Sequence, residues 1–564
     1  MAMPPFSALA PAEPDLAQVK ARYAELDARF DAAADAEARA QVVADWDALR
    51  RELSTISSWV RLRFQQDTKD PGAKAARDRM DQLEPKLTEL AVGFKAKLLG
   101  SAHRPELVAR YGEQAFALWD YDARGFAPEI KDDLAAESKL IGEYTELLAS
   151  AAIEFQGATH NLSGMTPFCE DADRDLRHRA QQAVWGFYAQ HQARLDALYG
   201  ELVALREGMA RKLGLDSYTE LAYLNMHRID YGPDDVARFR DEVARHVVPL
   251  ALELRAQQAA TLGVERLRYW DEPLLDPRGN PKPQGDHDWL LARAQAMFDA
   301  VGGGLSPFFR DLAGGGYLDL ETREGKAGGG FCTSFPTVGS PFVFANFNGT
   351  EGDVKVFTHE VGHAYQNFRS QGQPLLDYHW PTIEGAEVFS MGLEFLSWPH
   401  MEQFFGADAE RYRRGHLRES LLFLPYGVAV DHFQHRVFAE PGASPAERNA
   451  MWLDMERRYL PWRDYGDLAY PARGAFWQRQ RHIYCYPFYY VDYTLALTCA
   501  LQLWVLSLDD AADALARYEA LCPQGGRRPF QAMLREAGLT SPFEPGCLEE
   551  VVQRARAYLE RGAG

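Results

Sequence analysis

One pentapeptide of the sequence, His359-Glu360-Val361-Gly362-His363, has the residue types and spacing of a metal site. Residues i and i+4 share a helix face, so both imidazoles can reach one tetrahedral zinc ion, and the glutamate at i+1 points toward the open coordination position. Composition alone would produce this pattern in roughly three of every hundred such chains. Chance is therefore disfavoured, and a third ligand is needed to establish a site.

A second segment, from Ile383 to Glu394, supplies carboxylates for the role of third ligand. Glu384, Glu387 and Glu394 lie near one stripe of a helix among apolar residues. Two helical turns, about 10 Å, separate Glu387 from Glu394, so only one of those two can bind the same ion. The pattern favours Glu387 as the ligand, and Glu384 remains the alternative.

A third group of residues, between His482 and Tyr493, could stabilise negative charge. If Pro487 begins a helix, Tyr489 and Tyr493 share a face and Tyr490 lies beside them. An imidazole and phenols are hydrogen-bond donors suited to a developing oxyanion. A tyrosine-rich stripe is, however, more often part of a hydrophobic core.

The residues around the pentapeptide have the pattern of a helix. Thr350 followed by Asp353 three residues later resembles a capping box, and apolar residues recur at helical spacing up to Val361. Gly372 and Pro374 end the pattern. The sequence therefore predicts that both histidines lie on one helix and that the glutamates lie on the next.

The wider sequence predicts a mostly α body with one small β element. Helical patterns cover residues 15–99, 137–158, 176–213, 233–262, 289–312 and 353 to the end. The exception is the glycine-rich stretch 314–348, which predicts a hairpin or small sheet. Without a linker, the best division lies near residue 190, giving an N-terminal helical lobe, 1–190, and a catalytic helical body, 191–564.

Composition and charge exclude several classes of partner. The 564 residues include 61 Lys or Arg and 81 Asp or Glu, a net charge of −20, which disfavours nucleic acid and membrane surfaces. Scattered cysteines and the lack of a signal-peptide pattern lead us to expect a cytoplasmic protein. The apolar stretch 493–508 is too short and too polar to span a bilayer, and we expect a buried core helix there.

Taken together, these residues resemble the thimet oligopeptidase and oligoendopeptidase F family of zinc metallopeptidases, most closely its oligoendopeptidase F and Pz-peptidase branch. The matching stretches are 328–335, 342–350 continuing into Asp353, 359–364, 387–390 and 482–493. The resemblance implies a prolate, mostly α body with a deep central channel and one small β-sheet near the active site. It also implies one zinc ion per chain, held by His359, His363 and Glu387.

The resemblance further implies roles for residues around the metal. Glu360 would be the general base, and His482 with a nearby tyrosine would donate to the oxyanion. We expect Tyr489 and Tyr493 in that role, with Tyr490 and Tyr486 as alternatives.

The function expected is that of a zinc-dependent endopeptidase that hydrolyses internal bonds of short, unstructured peptides, because a channel would exclude folded proteins. If 342–348 forms an exposed edge strand, it would bind a peptide by main-chain hydrogen bonds. The substrate-binding residues would then be Phe344, Ala345 and Asn346, with Tyr490. Two alternatives are an exopeptidase of the same fold that releases dipeptides and a non-catalytic helical scaffold that binds peptides. The oligomeric state does not follow from the sequence.

Overall fold

Helices dominate the chain, as the periodicity predicts. The computed structural model describes residues 3–561. Its N-terminal helices are α1 (Leu16–Ala32), α2 (Ala36–Gln66), α3 (Pro71–Leu99), α4 (Arg104–Tyr111), α5 (Glu113–Gly125), α6 (Lys131–Ala149), α7 (Thr166–Cys169), α8 (Arg174–Lys212), α9 (Tyr218–Asn225), α10 (Pro233–Glu242), α11 (Val248–Thr261), α12 (His287–Val301) and α13 (Leu305–Gly314). Those after the small sheet are α14 (Glu351–Ser370), α15 (Ile383–Leu396), α16 (Glu402–Phe405), α17 (Ala409–Ala439), α18 (Pro445–Tyr459), α19 (Arg481–Cys485), α20 (Tyr490–Asp509), α21 (Ala511–Leu521), α22 (Phe530–Glu536) and α23 (Glu549–Glu560).

Strands form only two small sheets in the described chain. Helices account for 71% of residues and strands for 4%, so the mostly α prediction is confirmed. A hairpin of β1 (Ile153–Phe155) and β2 (Ala158–His160) replaces the end of the helix predicted for 137–158. The reason is local, because Gln156 and Gly157 both adopt positive φ, 51° and 79°, which a helix does not allow.

The second sheet lies in the glycine-rich stretch, as predicted, and contains β3 (Leu318–Glu321), β4 (Phe331–Phe335) and β5 (Ser340–Phe347). The strand order is β3-β5-β4, with β3 parallel and β4 antiparallel to β5. The long strand β5 is therefore central, and α14 follows it directly.

Helix α15 packs against both α14 and α20, so these three helices form the centre of the larger body. Of the described helices, only α20 is long and apolar enough to cross a membrane, and 72% of its apolar window is buried inside the protein. The predicted buried core helix is thus confirmed. It begins at Tyr490 rather than at Pro487, because Phe488 has φ of 66° and interrupts the turn between α19 and α20.

The helices before residue 126 have a hydrophobic core of their own. Its members run from Val19 to Trp119 and include Leu375 and Tyr378, which follow α14. The remainder of the molecule shares one large core. Helix α8 runs without a break through residue 190, so no linker separates two lobes at that position, and the division proposed there stays a prediction.

Candidate active site

Helix α14 carries both histidines of the pentapeptide, and α15 carries the glutamate that faces them. Nε2 of His359 lies 3.2 Å, and Nε2 of His363 lies 3.4 Å, from Oε2 of Glu387. The ligand atoms of these three residues all lie within 4.8 Å of one another. Two imidazole nitrogens and one carboxylate oxygen are the three protein ligands of many catalytic zinc sites, in which the fourth position is open.

The close crossing of α14 and α15 depends on the glycine inside the pentapeptide. A Cβ atom at Gly362 would lie 2.6 Å from the carbonyl oxygen of Phe389 and 2.7 Å from Cα of Ser390. Both are main-chain atoms of α15, so any side chain at this position would force the helices apart. The missing side chain is therefore what lets Glu387 reach the two histidines.

A buried chain of hydrogen bonds orients His359. Its Nδ1 is 2.7 Å from Oε1 of Glu394, whose Oε2 is 2.9 Å from Nε2 of His416. Nε1 of Trp398 donates to Nδ1 of His416 at 3.0 Å, so the His416 proton is on Nε2 and is donated to Glu394. The same carboxylate accepts from Nδ1 of His359, which leaves Nε2 free to bind a metal.

The charge state of Glu394 supports this assignment. Burial acts to raise the pKa of its carboxyl, but the hydrogen bonds from His359 and His416 outweigh burial and lower the pKa to about 2. Glu394 is thus an anion that accepts from both histidines.

Glu360 lies beside the histidines with one oxygen unpaired. Its Oε2 is buried and makes no hydrogen bond to the described residues, and Nδ1 of His363 is in the same condition. Burial raises the pKa of the Glu360 carboxyl, although the two histidines oppose that effect. A raised pKa suits a group that must accept a proton near neutral pH. Buried polar atoms are normally paired, so this donor set fits a site that a metal ion and water complete.

His482 lies at the centre of a cluster formed by four of the five tyrosines in residues 483–493, all except Tyr484. The distances from its ring centroid to theirs are 6.1 Å for Tyr486, 5.8 Å for Tyr489, 4.9 Å for Tyr490 and 5.8 Å for Tyr493. Burial, assisted by the neighbouring Arg481, lowers the pKa of His482 to about 4, so the imidazole is neutral at neutral pH.

The tyrosines of this cluster differ in their contacts and in their exposure to solvent. His482 and Tyr493 line a cavity of about 420 Å³ that also contains His359. The Tyr489 hydroxyl donates to Oε1 of Glu387 at 3.3 Å. Burial raises the pKa of both phenols, so both remain donors. Tyr486 is 51% exposed. The structure thus brings His482, Tyr489 and Tyr493 to the candidate metal ligands.

The edge-strand expectation for residues 342–348 is wrong. Because β5 is paired on both sides, its main chain cannot pair with a peptide as an edge strand would. Phe344 and Ala345 are fully buried, and the Asn346 amide donates at 2.8 Å to the carbonyl oxygens of Ala327 and Gly329. The edges of the sheet are β3 and β4, and β4 begins beside Glu360, since a Cβ at Gly330 would lie 3.4 Å from Oε1 of that residue.

A second, larger cavity adjoins the first. It has a volume of about 780 Å³, and the two cavities share Lys355, His416 and Glu419 as lining residues. Its wall also carries Glu170 and Glu351. Burial and the nearby charges of Glu419 and Glu170 raise the pKa of Glu351 to about 8. The space beside the histidines therefore continues into an acidic chamber.

Two residues that orient the site were missed from the sequence. His416 orients Glu394 from α17, a helix that no motif connects to the pentapeptide. Gln480 contacts His482, with its Nε2 2.8 Å from Nδ1 of the histidine. The proximity of Gln480 to His482 in the sequence was the only available signal, whereas His416 gave none.

Comparisons with known proteins agree with this site. The family model described as the peptidase M3 N-terminal domain matches residues 6–126, and that of peptidase family M3 matches residues 168–278 and 300–552. No match was found among curated proteins.

Several solved structures resemble the whole chain. A protein assigned as an oligoendopeptidase F is 43% identical, with 99% of each chain covered and a TM-score of 0.94. PZ peptidase A, solved with an inhibitor, is 41% identical with the same coverage and TM-score. A protein of Bacillus anthracis str. Ames, also assigned as an oligoendopeptidase F, is 38% identical, with 100% of this chain and 99% of that chain covered and a TM-score of 0.90. The chain is therefore a peptidase of family M3, on the oligoendopeptidase F branch.

Proposed function

We propose that this peptidase is a zinc enzyme that hydrolyses internal bonds of short, unstructured peptides. The observation that carries the proposal is the convergence of His359, His363 and Glu387 beside a buried, unpaired Glu360. A structural zinc site is filled by four protein ligands and has no use for such a carboxylate. The family membership excludes the non-catalytic scaffold considered from the sequence.

The residues of the chain divide the chemistry among them. When bound, zinc would acidify a water molecule and polarise the scissile carbonyl. Glu360 accepts the proton of that water at its unpaired Oε2 and passes it to the leaving nitrogen. Nε2 of His482 and the hydroxyl of Tyr493 donate to the oxygen on which negative charge develops.

Substrate binding follows from the sheet and the cavities. An extended peptide can add to the free edge of β4, which gives main-chain hydrogen bonds without strict side-chain selection. Cleavage of internal bonds is supported by the space around the site. The cavity of about 420 Å³ at His359 shares lining residues with the cavity of about 780 Å³, so a peptide can extend beyond the catalytic residues. Relatives that match the full length carry the description oligoendopeptidase F.

The test distinguishes loss of the metal ion from loss of the general base. We expect the purified protein to contain one zinc ion per chain, and His363→Ala to lose both zinc and activity. Glu360→Gln should keep zinc and lose roughly 10²–10⁴ in kcat, because the amide retains the shape and cannot accept the proton. Elemental analysis and hydrolysis of a quenched fluorescent ten-residue peptide give the two readouts.

Glu384→Gln is the matched control, because Glu384 is equally buried on α15 and is not in the ligand group. Zinc retained in Glu387→Gln but lost in Glu384→Gln would transfer the third-ligand role to Glu384. Activity of Glu360→Gln within about tenfold of the unmodified enzyme would refute the base assignment. Mass spectrometry of the products distinguishes internal cleavage from release of dipeptides.

A further inference from the structure

A cavity rich in arginine lies next to the candidate active site. Its volume is about 380 Å³, and its wall includes Arg255, Arg463 and Arg479. Tyr490 lines this cavity and also the cavity that contains His359 and His482. A third cavity, of about 250 Å³, shares Glu419 and Phe423 with the cavity at His359 and shares Arg255 and Arg463 with the arginine cavity, so the three cavities adjoin.

The arginines are only partly neutralised. Glu272 is the one carboxylate on the cavity wall, and it lies 3.2 Å from Arg255 and 3.0 Å from Arg463. Arg479 forms no ion pair with a carboxylate of the described chain and donates through Nη1 to the Tyr269 hydroxyl at 2.5 Å. The cavity is thus positively charged although the whole chain has a net charge of −20.

A second observation indicates that these charges await a partner. The Arg463 side chain is only 8% exposed, and its Nη1 makes no hydrogen bond to the described residues. A buried cation that is not fully paired is costly, so an anion that accepts a hydrogen bond from this nitrogen would be stabilised there. Arg479 is an exposed residue on the same wall, and its guanidinium, which donates to Tyr269 through Nη1, keeps further donors for an anion.

We propose that Arg479, supported by Arg463, binds the C-terminal carboxylate of the peptide substrate. A guanidinium matches a carboxylate in two parallel hydrogen bonds. The aromatic rings of Tyr269 and Phe476 on the same wall offer contact to the last side chain of the peptide. This inference rests on the proposed peptidase function, and it adds that the arginine cavity binds the C-terminal carboxylate of the substrate.

The distance along the chain limits where the cleaved bond lies. Arg479 precedes His482 by three residues, so their Cα atoms are at most about 11 Å apart. An extended peptide advances about 3.3 Å per residue. The two side chains add their own lengths to this span, so the carboxylate at Arg479 lies within several residues of the bond that His482 contacts, and C-terminal fragments of that length are the expected products.

The test uses the zinc-loaded Glu360→Gln protein, because its expected slow turnover leaves the peptide intact during a binding measurement. Fluorescence anisotropy measures the Kd of one labelled ten-residue peptide in three forms: with a free C-terminal carboxylate, with a C-terminal amide, and with an amide after a final glutamate. A hydrogen bond to a charged group accounts for a factor of roughly 10–100 in affinity. We expect the amide to bind that much more weakly than the free acid, and Arg479→Gln to abolish the difference.

Arg473→Gln is the matched control, because Arg473 lies on the same segment and is also exposed, but it is not on the cavity wall and donates to Gln192. It should leave the preference for the free acid unchanged. Equal binding of acid and amide by the protein with Arg479 intact would overturn the proposal, and this comparison needs no further variant to fold. Loss of the preference for the free acid in Arg473→Gln would also overturn the proposal. So would binding of the glutamate amide as tightly as the free acid, because the site would then recognise a side-chain carboxylate.

Failure of the proposed function is a separate result. If the unmodified zinc enzyme cleaved no peptide, the peptidase assignment of this site would fall while the binding comparison still decided the carboxylate site. If it cleaves, the products in mass spectrometry should be short C-terminal fragments from the free acid, and the kcat/KM for the amide should be lower by the same factor as its affinity.

Discussion

His482 owes the position of its proton to two neighbours on its own side of the cavity. The Tyr426 hydroxyl donates to Oε1 of Gln480 at 2.6 Å, which turns the amide nitrogen toward Nδ1 of His482 at 2.8 Å. Nδ1 therefore accepts, and the proton of the neutral imidazole is on Nε2. The side chain at position 480 thus determines whether His482 can donate to a substrate oxygen.

We expect Gln480→Glu to make activity fall on the alkaline side. The pKa of His482 is about 4 in the unmodified enzyme, so Nε2 keeps its proton throughout the neutral range. A carboxylate at position 480 would raise that pKa, and above the new pKa it would hold the single remaining proton on Nδ1. The kcat of this variant should therefore decrease as the pH rises from 5 to 9. Gln480→Met is the control and should show no new alkaline decrease, and a flat profile for Gln480→Glu would contradict the assignment.

The two tyrosines nearest the metal ligands should differ when their hydroxyls are removed. Tyr493→Phe loses a donor to the oxyanion and should lower kcat by roughly 10²–10³ with little change in KM. Tyr489→Phe loses its hydrogen bond to Glu387, so its main effect should be weaker zinc binding. Steady-state kinetics and zinc titration on both variants measure the difference. A normal kcat in Tyr493→Phe would place that ring in the hydrophobic packing alone.

At the scale of elements, the site depends on how closely α14 and α15 approach. Gly362→Ala places a methyl group within 2.7 Å of two main-chain atoms of α15, and a main chain cannot turn aside as a flexible side chain can. We expect this variant to lose zinc affinity and to unfold at a lower temperature. Gly93→Ala in α3 is the control, since nothing lies within 4 Å of its Cβ, and it should stabilise the protein by up to about 1 kcal/mol. Unchanged zinc affinity in Gly362→Ala would show that the crossing tolerates a side chain.

The elements that the sequence predicted well are those whose signals are local. Thr350 is the N-cap of α14, as the capping pattern predicts, although its side chain makes no capping bond. Asp353 instead accepts from the main-chain nitrogens of Asn348 and Gly349, at 3.0 and 2.7 Å, and so joins the helix to the sheet. The spacing of the pentapeptide also placed two candidate ligands on one helix face.

The features that the sequence did not predict depend on contacts between distant segments. The central position of β5 follows from its pairing with β3 across a long stretch of chain. The continuous apolar run Phe342 to Ala345 is typical of a strand buried on both faces and could have indicated that position. His416 and Glu394 meet because α15 and α17 both pack against α20, which no spacing in the sequence encodes.

At the scale of the molecule, buried ion pairs fasten the N-terminal helices to the segment that follows α14. Arg50 of α2 donates to Asp377 at 3.0 and 2.6 Å and to Asp47 at 2.6 Å. All three side chains are nearly buried. Burial acts to raise the pKa of Asp377, but the charge of Arg50 outweighs it and holds the pKa well below its usual range. The same segment supplies Leu375 and Tyr378 to the N-terminal core.

We expect Arg50→Met to lower the free energy of unfolding by about 3–5 kcal/mol, because it removes the close partner of the buried Asp377 carboxylate, whereas Asp47 keeps its ion pair with Arg51. Since the pKa of Asp377 is lowered on folding, its contribution is complete above about pH 4 and is lost as the pH falls further, so the penalty should shrink in acid. Urea unfolding at pH 7 and pH 3 measures both effects. Arg22→Met breaks an exposed pair with Glu52 and should cost less than about 1 kcal/mol. An equal loss of unfolding free energy in the two variants would show that the buried ion pairs of Arg50 contribute no more than a surface pair.

The arginine cavity lies inside a molecule of net charge −20, so a peptide meets fields of opposite sign at different distances. Far from the surface, the negative field slows the approach of acidic peptides and speeds that of basic ones. At physiological ionic strength this long-range field is screened beyond about 8 Å, whereas contacts inside the cavity are screened much less. Added salt should therefore level the association rates of acidic and basic peptides and leave the discrimination at Arg479 largely intact.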